Sequence, residues 1–247
     1  MNNNNKIVPE NDSISSKNNS YNTNKYVRES HNCYSFFLNL KSKEAFSVCK
    51  DELNNQDYCR RSQPGYASGY PRLKTEDFKC PAIMQRTLDD NKHVHRVKKN
   101  QQCPADYYKG ALVVAPGRDY HYYRQNDDTK YWDHKPGYKP VQHVDSNNNI
   151  ITDPESAARN YGGTLNYKDF CGFLCVPRDP NKKHMTMYPK PLINKLSGAV
   201  KNIVRRRTRN KNNNNKNNNK KNNNNNNNNT NNINNKNGKN RKTRKQK

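Results

Sequence analysis

The pattern of apolar and polar positions between residues 119 and 137 predicts a β-hairpin. Two aromatic-rich runs, a composition typical of strands, flank a polar connector of turn-forming residues. Because side chains two positions apart share one face of a strand, Tyr120 and Tyr122 are expected on one side of the first run, and His121 and Tyr123 on the other. The rotation of this strand therefore decides whether His121 faces a cleft or the core.

Other apolar runs predict the remaining elements. Residues 111–115 are expected to form a buried strand that leads into the hairpin, and residues 167–176 a last apolar strand. Residues 44–53 are predicted to form a short helix. Residues 153–159 are predicted to form another, because the segment opens with Asp, Pro and Glu, which are typical of a helix start. The resulting order of helices and strands predicts an α+β fold.

A polar residue before a helical pattern marks the start of the first helix. Tyr34, Phe37 and Leu38 have the spacing of one helix face, and Asn32 just before them is a favoured N-cap. Cys33 is then the first helical residue, where unpaired backbone N–H groups and the helix dipole lower the pKa of a thiol. Cys33 is therefore a candidate nucleophile. The alternative is a small buried hydrophobic side chain that happens to begin a helix.

Composition limits the part of the chain that can fold. Residues 1–30 are rich in Asn, Ser and Lys, and residues 205–247 are almost only Asn, Lys and Arg. Such segments bury too little apolar surface to offset the entropy of ordering them, so both are predicted to be disordered. Residues 31–180 remain as one globular domain. Residues 181–204 are a linker whose apolar positions have the spacing of a basic amphipathic helix.

Most of the positive charge belongs to the C-terminal end. Residues 181–247 contain 20 Lys and Arg and no Asp or Glu, while the formal net charge of the whole chain is +25. This end is predicted to bind a polyanion, either nucleic acid or an anionic membrane surface. The alternative is a solvated low-complexity tail. The Asn- and Lys-rich composition is similar to that of proteins from giant DNA viruses that infect amoebae, which implies a host-cell or virion location.

The chain shows no membrane or secretion signal, and its cysteines are expected to be reduced. It has no run of 18 apolar residues and no signal-peptide core at the N-terminus, so neither a transmembrane segment nor secretion by a classical signal peptide is expected. Disulfide pairing of the seven cysteines would leave one unpaired, and the apolar setting of Cys171 and Cys175 favours buried strand thiols. The spacing of the cysteines, with His93 and His95, does not fit zinc, so no metal or cofactor is expected.

The order of three residues resembles that of a known enzyme family. A helix-opening cysteine, a histidine on a later strand and a second histidine on the next strand resemble the NlpC/P60 branch of papain-like cysteine peptidases and amidases. The resemblance implies an N-terminal helix packed on an antiparallel sheet, with Cys33 attacking a peptide or amide substrate. It makes His121 the base, His134 the group that orients it, and the backbone N–H groups at the helix start an oxyanion site. The family usually has Asp before the cysteine and Ser-Gly after it, and this chain has neither.

A non-catalytic function is the competing hypothesis. The Tyr-, Trp- and Arg-rich hairpin has the composition of a recognition surface for protein or glycan. The two hypotheses differ in burial. A binding module would expose Tyr120, Tyr122 and Trp132 and would bury His121 away from Cys33.

Overall fold

The computed structural model describes residues 20–54 and 58–189. Five helices and five strands make up these residues, together with 3-10 turns at Thr75–Asp77 and Pro180–Lys182. The helices are α1 Ser20–Thr23, α2 Lys25–Ser30, α3 Cys33–Leu38, α4 Lys43–Asn54 and α5 Cys80–Asp90. The strands are β1 His95–Val97, β2 Tyr107–Ala115, β3 Asp119–Gln125, β4 Trp132–His134 and β5 Asp169–Pro177. The strands form one sheet in the order β1-β5-β2-β3-β4, and every pair is antiparallel. The predicted α+β class is confirmed.

The first helix of the core begins where the sequence predicts it. The Asn32 side chain accepts a hydrogen bond from the Ser35 backbone N–H at 3.3 Å, which caps α3 and leaves Cys33 as its first residue. The helix ends at Leu38, and its C-cap Asn39 adopts the left-handed conformation with φ 48°. All six residues of α3 are buried. Because the cap occupies the Ser35 N–H, this amide is not available to a substrate.

The sheet has a hydrophobic core on each face. The predicted alternation along β3 is confirmed, since Tyr120 and Tyr122 pack toward α3 and α5, and Tyr123 packs on the opposite face. The first core also contains Phe37, Leu38, Ile83, Leu112, Leu174 and Val176. The second contains Ala111, Val113, Trp132, Ile151, Tyr167 and Phe173. The predicted hairpin of β3 and β4 therefore lies between two packed layers.

Three disulfides cross-link the domain: Cys49–Cys59, Cys80–Cys171 and Cys103–Cys175. The prediction that Cys171 and Cys175 are buried thiols is wrong, because both are bonded to cysteines far away in the sequence. Disulfides are typical of proteins that fold in an oxidising compartment, so the pairing does not support the expected reducing one. Cys33 is the one cysteine of the seven that stays free.

One domain boundary and one helix that the sequence predicts differ from the structure. The predicted start of the domain at residue 31 leaves out α1 and α2, although Tyr21 is fully buried and its hydroxyl donates to the Leu40 carbonyl at 3.2 Å. The helix predicted at residues 153–159 is wrong, because the segment forms only a turn. The Ala158 N–H donates to the Asp145 carboxylate at 3.0 Å instead of continuing a helix.

Some predictions concern residues that the structure does not describe. These are residues 1–19 of the N-terminal segment, the basic amphipathic helix beyond residue 189, and the tail proposed to bind polyanions. Among the helices of residues 20–54 and 58–189, none has the length and apolar character needed to cross a bilayer.

Candidate functional site

One cavity of about 1060 Å³ brings the predicted site residues together. Cys33, His121 and His134 all line it, although Cys33 packs with the α3 side of the sheet and His121 projects from the other side. The pairing of β3 explains how this occurs. Strand β4 pairs only with residues 123–125 of β3, so the first half of β3 has no partner strand on that side. Both faces of β3 therefore border the same space.

The two histidines form a hydrogen-bonded pair. Register places Tyr123 opposite His134, so the His121 and His134 side chains share one face of the hairpin. His121 Nε2 lies 2.8 Å from His134 Nδ1, and His134 Nε2 lies 3.0 Å from the Val144 carbonyl oxygen. Burial lowers the pKa of His134 to about 4. Burial, followed by the nearby His134, lowers the pKa of His121 well below its usual value. Both rings are therefore neutral at neutral pH.

These contacts fix the tautomers of the two neutral rings. A carbonyl oxygen only accepts hydrogen bonds, so His134 carries its proton on Nε2 and donates it to Val144. Its Nδ1 then has a lone pair, which accepts the Nε2–H of His121. The proton of His121 is thereby committed to Nε2. Its Nδ1 retains a lone pair that makes no hydrogen bond to any described residue, as a general base requires.

The thiol of Cys33 is protonated at neutral pH. Its sulfur lies 3.9 Å from the Tyr120 carbonyl oxygen, and no hydrogen bond joins it to His121 within the described part of the chain. Burial, with a smaller contribution from the Asp119 carboxylate, raises the pKa of Cys33 to about 12. The prediction of a lowered thiol pKa is therefore wrong. The short helix α3 does not offset the loss of hydration.

Asp119 and Tyr167 extend the site beyond the predicted residues. The Tyr167 hydroxyl donates to Asp119 Oδ2 at 2.8 Å, and the ring centroids of Tyr167 and His121 are 5.4 Å apart. Burial raises the pKa of Asp119. The position of Asp119, two residues before His121 on the same strand face, was the sequence signal that could have identified it.

Lys135 is a second residue that sequence reasoning missed. It follows His134 and is fully buried, with Nζ donating to the carbonyl oxygens of Arg28 at 2.6 Å and Gly137 at 2.7 Å. Burial, followed by the charge of Arg61, lowers the pKa of Lys135 to about 7. A lysine at this position gives no sequence signal of burial, because lysine side chains are mostly exposed.

The aromatic recognition surface predicted on the hairpin is not formed by the residues proposed for it. Tyr120, Tyr122 and Trp132 are 5%, 0% and 4% exposed, and Arg124 is 4% exposed. These side chains belong to the cores on the two faces of the sheet or pack beside them. The exposure that a hairpin-surface binding module requires of these side chains is therefore not found.

A metal site is not evident in the part of the chain that the structure describes. Within residues 20–54 and 58–189, no three His, Cys, Asp or Glu side chains come together in a group that could hold a metal ion.

Comparison with known proteins finds a similar sequence. The chain is 44% identical over 150 residues to insoluble matrix shell protein 1 of Ruditapes philippinarum, a match that covers 61% of this chain and 82% of that protein. No family model matches the chain. No solved structure matches it.

Proposed function

The chain belongs to the same family as insoluble matrix shell protein 1 of Ruditapes philippinarum, and we propose that its domain is a thiol hydrolase that cleaves an amide bond. Cys33 is the nucleophile, His121 is the general base, and His134 orients His121. No cofactor takes part in this reaction. The substrate is a peptide or a related amide that enters the cavity.

The observation that carries the proposal is the free lone pair of His121 in the cavity that holds the unpaired cysteine. Six of the seven cysteines are in disulfides, and the one that is free lines the same cavity as the His121–His134 pair. A nucleophile, a base and a group that orients the base are the parts that this chemistry needs. The hydrogen bonds from His121 to His134 and from His134 to Val144 support the assignment of each role.

The proposed reaction has two steps. The Cys33 sulfur bonds to the amide carbonyl carbon while the thiol proton passes to His121 Nδ1. The C–N bond then breaks, and His121 returns this proton to the departing amine nitrogen, leaving a thioester. Water attacks the thioester carbon as His121 accepts its proton. The C–S bond then breaks, which releases a carboxylic acid, and the proton returns to the sulfur.

Both groups begin the reaction uncharged. The raised pKa of Cys33 and the lowered pKa of His121 favour a neutral thiol and a neutral imidazole over an ion pair. His121 must therefore accept the proton as the sulfur attacks, and not before. The Nε2–H hydrogen bond to His134 holds the ring in one orientation while Nδ1 gains and loses this proton.

Peptide-library digestion tests the proposal. The full chain, with its disulfides intact, is incubated with a proteome-derived peptide mixture, and new termini are identified by mass spectrometry. We expect cleavage by the natural sequence, none by Cys33→Ala, and loss of at least about a hundredfold in rate for His121→Ala. His134→Ala is expected to retain more activity than His121→Ala, because only the orientation of the base is lost.

Matched controls separate chemistry from folding. Cys33→Ser keeps the size of the nucleophile and is the matched variant. Cys80→Ala with Cys171→Ala removes a disulfide outside the residues that line the cavity, so it shows what lost stability alone does to cleavage. Each variant is compared by its unfolding transition before activity is measured. Peptide cleavage by the Cys33→Ala protein at the rate of the natural sequence would show that the hydrolase assignment is wrong.

A second candidate function follows from family membership. The relative is named as an insoluble matrix protein of shell, which favours a structural role for this chain in an insoluble matrix. Three disulfides suit a domain that must persist in such material. A structural role predicts that the chain enters the insoluble fraction equally well with Cys33→Ala or His121→Ala. Retention that requires Cys33 would count against it.

A further inference from the structure

The wall of the cavity contains an arginine that forms no ion pair with any described carboxylate. Arg61 is half-buried, and its Nε donates to the Glu29 carbonyl oxygen at 2.9 Å. Its guanidinium lies 5.5 Å from the centroid of the Tyr138 ring. Within the described residues, Arg61 forms no ion pair with an Asp or Glu and donates no other side-chain hydrogen bond. The two terminal nitrogens of its fork are therefore left for a ligand.

A guanidinium in this setting is unfavourable unless it binds an anion. Removing a cation from water weakens its hydration, and burial lowers the pKa of Arg61 accordingly. Arg86, a buried arginine elsewhere in the domain, does have such a partner, since it pairs with Asp77 at 3.1 Å. The Glu29 carboxylate raises the pKa of Arg61 in opposition to burial, but it pairs with Arg28 at 3.7 Å and makes no ion pair with Arg61. Arg61 is thus a partly buried cation that no carboxylate of the described residues contacts directly.

The surroundings of Arg61 strengthen the positive charge. Lys135 is fully buried with carbonyl partners alone, near Arg61, Cys33 and Glu29, and its lowered pKa of about 7 leaves it only partly charged at neutral pH. Arg72 and Lys139 also line the cavity and are exposed, whereas Asp119 is its one lining carboxylate among the described residues. Asp119 is held by the Tyr167 hydroxyl. The cavity beside Cys33 therefore carries an excess of positive charge.

We propose that Arg61 binds a carboxylate of the substrate, next to the amide that Cys33 attacks. This inference rests on the proposed hydrolase function, because it assigns the substrate class of the same cavity. The two terminal nitrogens of a guanidinium match the two oxygens of a carboxylate, and Glu29 and Tyr138 hold the fork in place. The substrate is therefore an acidic peptide or amide and not a neutral one.

Two alkylating agents of nearly equal size test the anion site directly. Iodoacetate carries a carboxylate and iodoacetamide a neutral amide, and both alkylate a cysteine thiolate. The full chain is labelled with each, without reduction, and modification of Cys33 is followed by mass spectrometry. The ratio of the iodoacetate rate to the iodoacetamide rate is measured for Cys33 and for N-acetylcysteine, which serves as a free cysteine. The ratio for Cys33 divided by the ratio for N-acetylcysteine is the anion preference of the site. We expect a preference of about tenfold, the effect of one charge-assisted pair.

Variants identify the residue responsible. Arg61→Gln is expected to reduce the preference to within about twofold of free cysteine, and Arg61→Lys to retain part of it, because the charge remains but the fork is lost. Arg96→Gln is the matched control, an exposed arginine that does not line the cavity, and is expected to leave the preference unchanged. An unchanged preference in Arg61→Gln, or a natural chain with no preference, would overturn the proposal.

Competition in the natural chain keeps the test decisive even if Arg61→Gln fails to fold. Acetate is expected to slow labelling by iodoacetate, and phosphate to do so less effectively at equal ionic strength. Much stronger protection by phosphate, or no protection by either anion, would overturn the carboxylate assignment. The readout does not depend on hydrolysis. If the chain cleaves no peptide but retains the anion preference, only the proposed hydrolase function is wrong. If the chain cleaves peptides but shows no anion preference, only the carboxylate site at Arg61 is wrong.

Discussion

Gly110 on β2 lies so close to Phe37 on α3 that a β-carbon at Gly110 would come within 2.4 Å of the Phe37 Cε2 atom. The Tyr123 carbonyl oxygen on the neighbouring strand would lie 3.2 Å from the same β-carbon. The absence of a side chain at Gly110 therefore allows α3 to approach the sheet, and the position of α3 determines where Cys33 enters the cavity. We expect Gly110→Ala to lower the free energy of unfolding by about 1 to 3 kcal/mol, as for other overpacked cores. Denaturant unfolding measures the change.

A double-mutant cycle tests whether the Phe37 ring is the cause. Phe37→Ala removes the ring, and Gly110→Ala in that background should then cost much less free energy of unfolding. An equal cost in both backgrounds would mean that the backbone at Gly110, and not contact with Phe37, is responsible.

Local sequence patterns predicted the elements that position the site. Asn32 caps α3 through its own side chain, and the aromatic alternation of β3 follows from its period of two, so both could be inferred from neighbouring residues. The meeting of His121 and His134 follows partly from the hairpin, because its connector sets the register that places Tyr123 opposite His134.

Other features depend on contacts between distant parts of the chain. The partners of Cys80 and Cys103 both lie on β5, and connectivity of this kind cannot be deduced from spacing. The thiol pKa of Cys33 was predicted from the helix start alone, but burial by tertiary packing determines its direction. The hairpin aromatics were equally consistent with a surface or a core until the layers on both faces of the sheet were known.

The pH dependence of Cys33 alkylation distinguishes a buried thiol from a preformed ion pair. Burial raises the pKa of Cys33 to about 12, so the reactive thiolate is scarce at neutral pH. We expect the rate of iodoacetamide labelling in the folded chain to rise about tenfold per pH unit through the neutral range, without a plateau. Mass spectrometry of the Cys33 peptide provides the rates. A plateau between pH 6 and 8 that disappears in His121→Ala would instead indicate a thiolate–imidazolium pair.

The disulfides are expected to contribute unequally to stability. Cys80–Cys171 closes a sequence separation of 91 residues and Cys49–Cys59 one of 10. The entropy removed from the unfolded chain grows with loop length, which gives about 4 to 5 kcal/mol for the long loop and about 2 to 3 kcal/mol for the short one. The double alanine variants, unfolded in denaturant without reductant, test this order. A larger loss on removing Cys49–Cys59 would show that strain or residual structure outweighs loop length.

A buried histidine outside the cavity makes stability depend on pH. His31 is fully buried, with Nδ1 lying 3.0 Å from the Val27 carbonyl oxygen and Nε2 accepting the Ser42 N–H at 2.9 Å. This neutral tautomer connects α2 to the start of α4. Protonation of Nε2 would bring two N–H groups face to face. Burial, with smaller contributions from nearby lysines, lowers the pKa of His31 to about 4.

We therefore expect stability to fall as the pH falls from about 6.5, the ordinary histidine value, toward 4. In this window the unfolded chain binds a proton at residue 31 and the folded chain does not, so acid favours unfolding. The slope is about 1.4 kcal/mol per pH unit for each such histidine. His31→Gln should reduce the slope of unfolding free energy against pH by the contribution of one histidine. The same change at the exposed His93 should leave this slope unaltered. Denaturant unfolding between pH 4.5 and 7 measures both. Equal slopes for His31→Gln and the natural chain would show that His31 is not neutral in the folded domain.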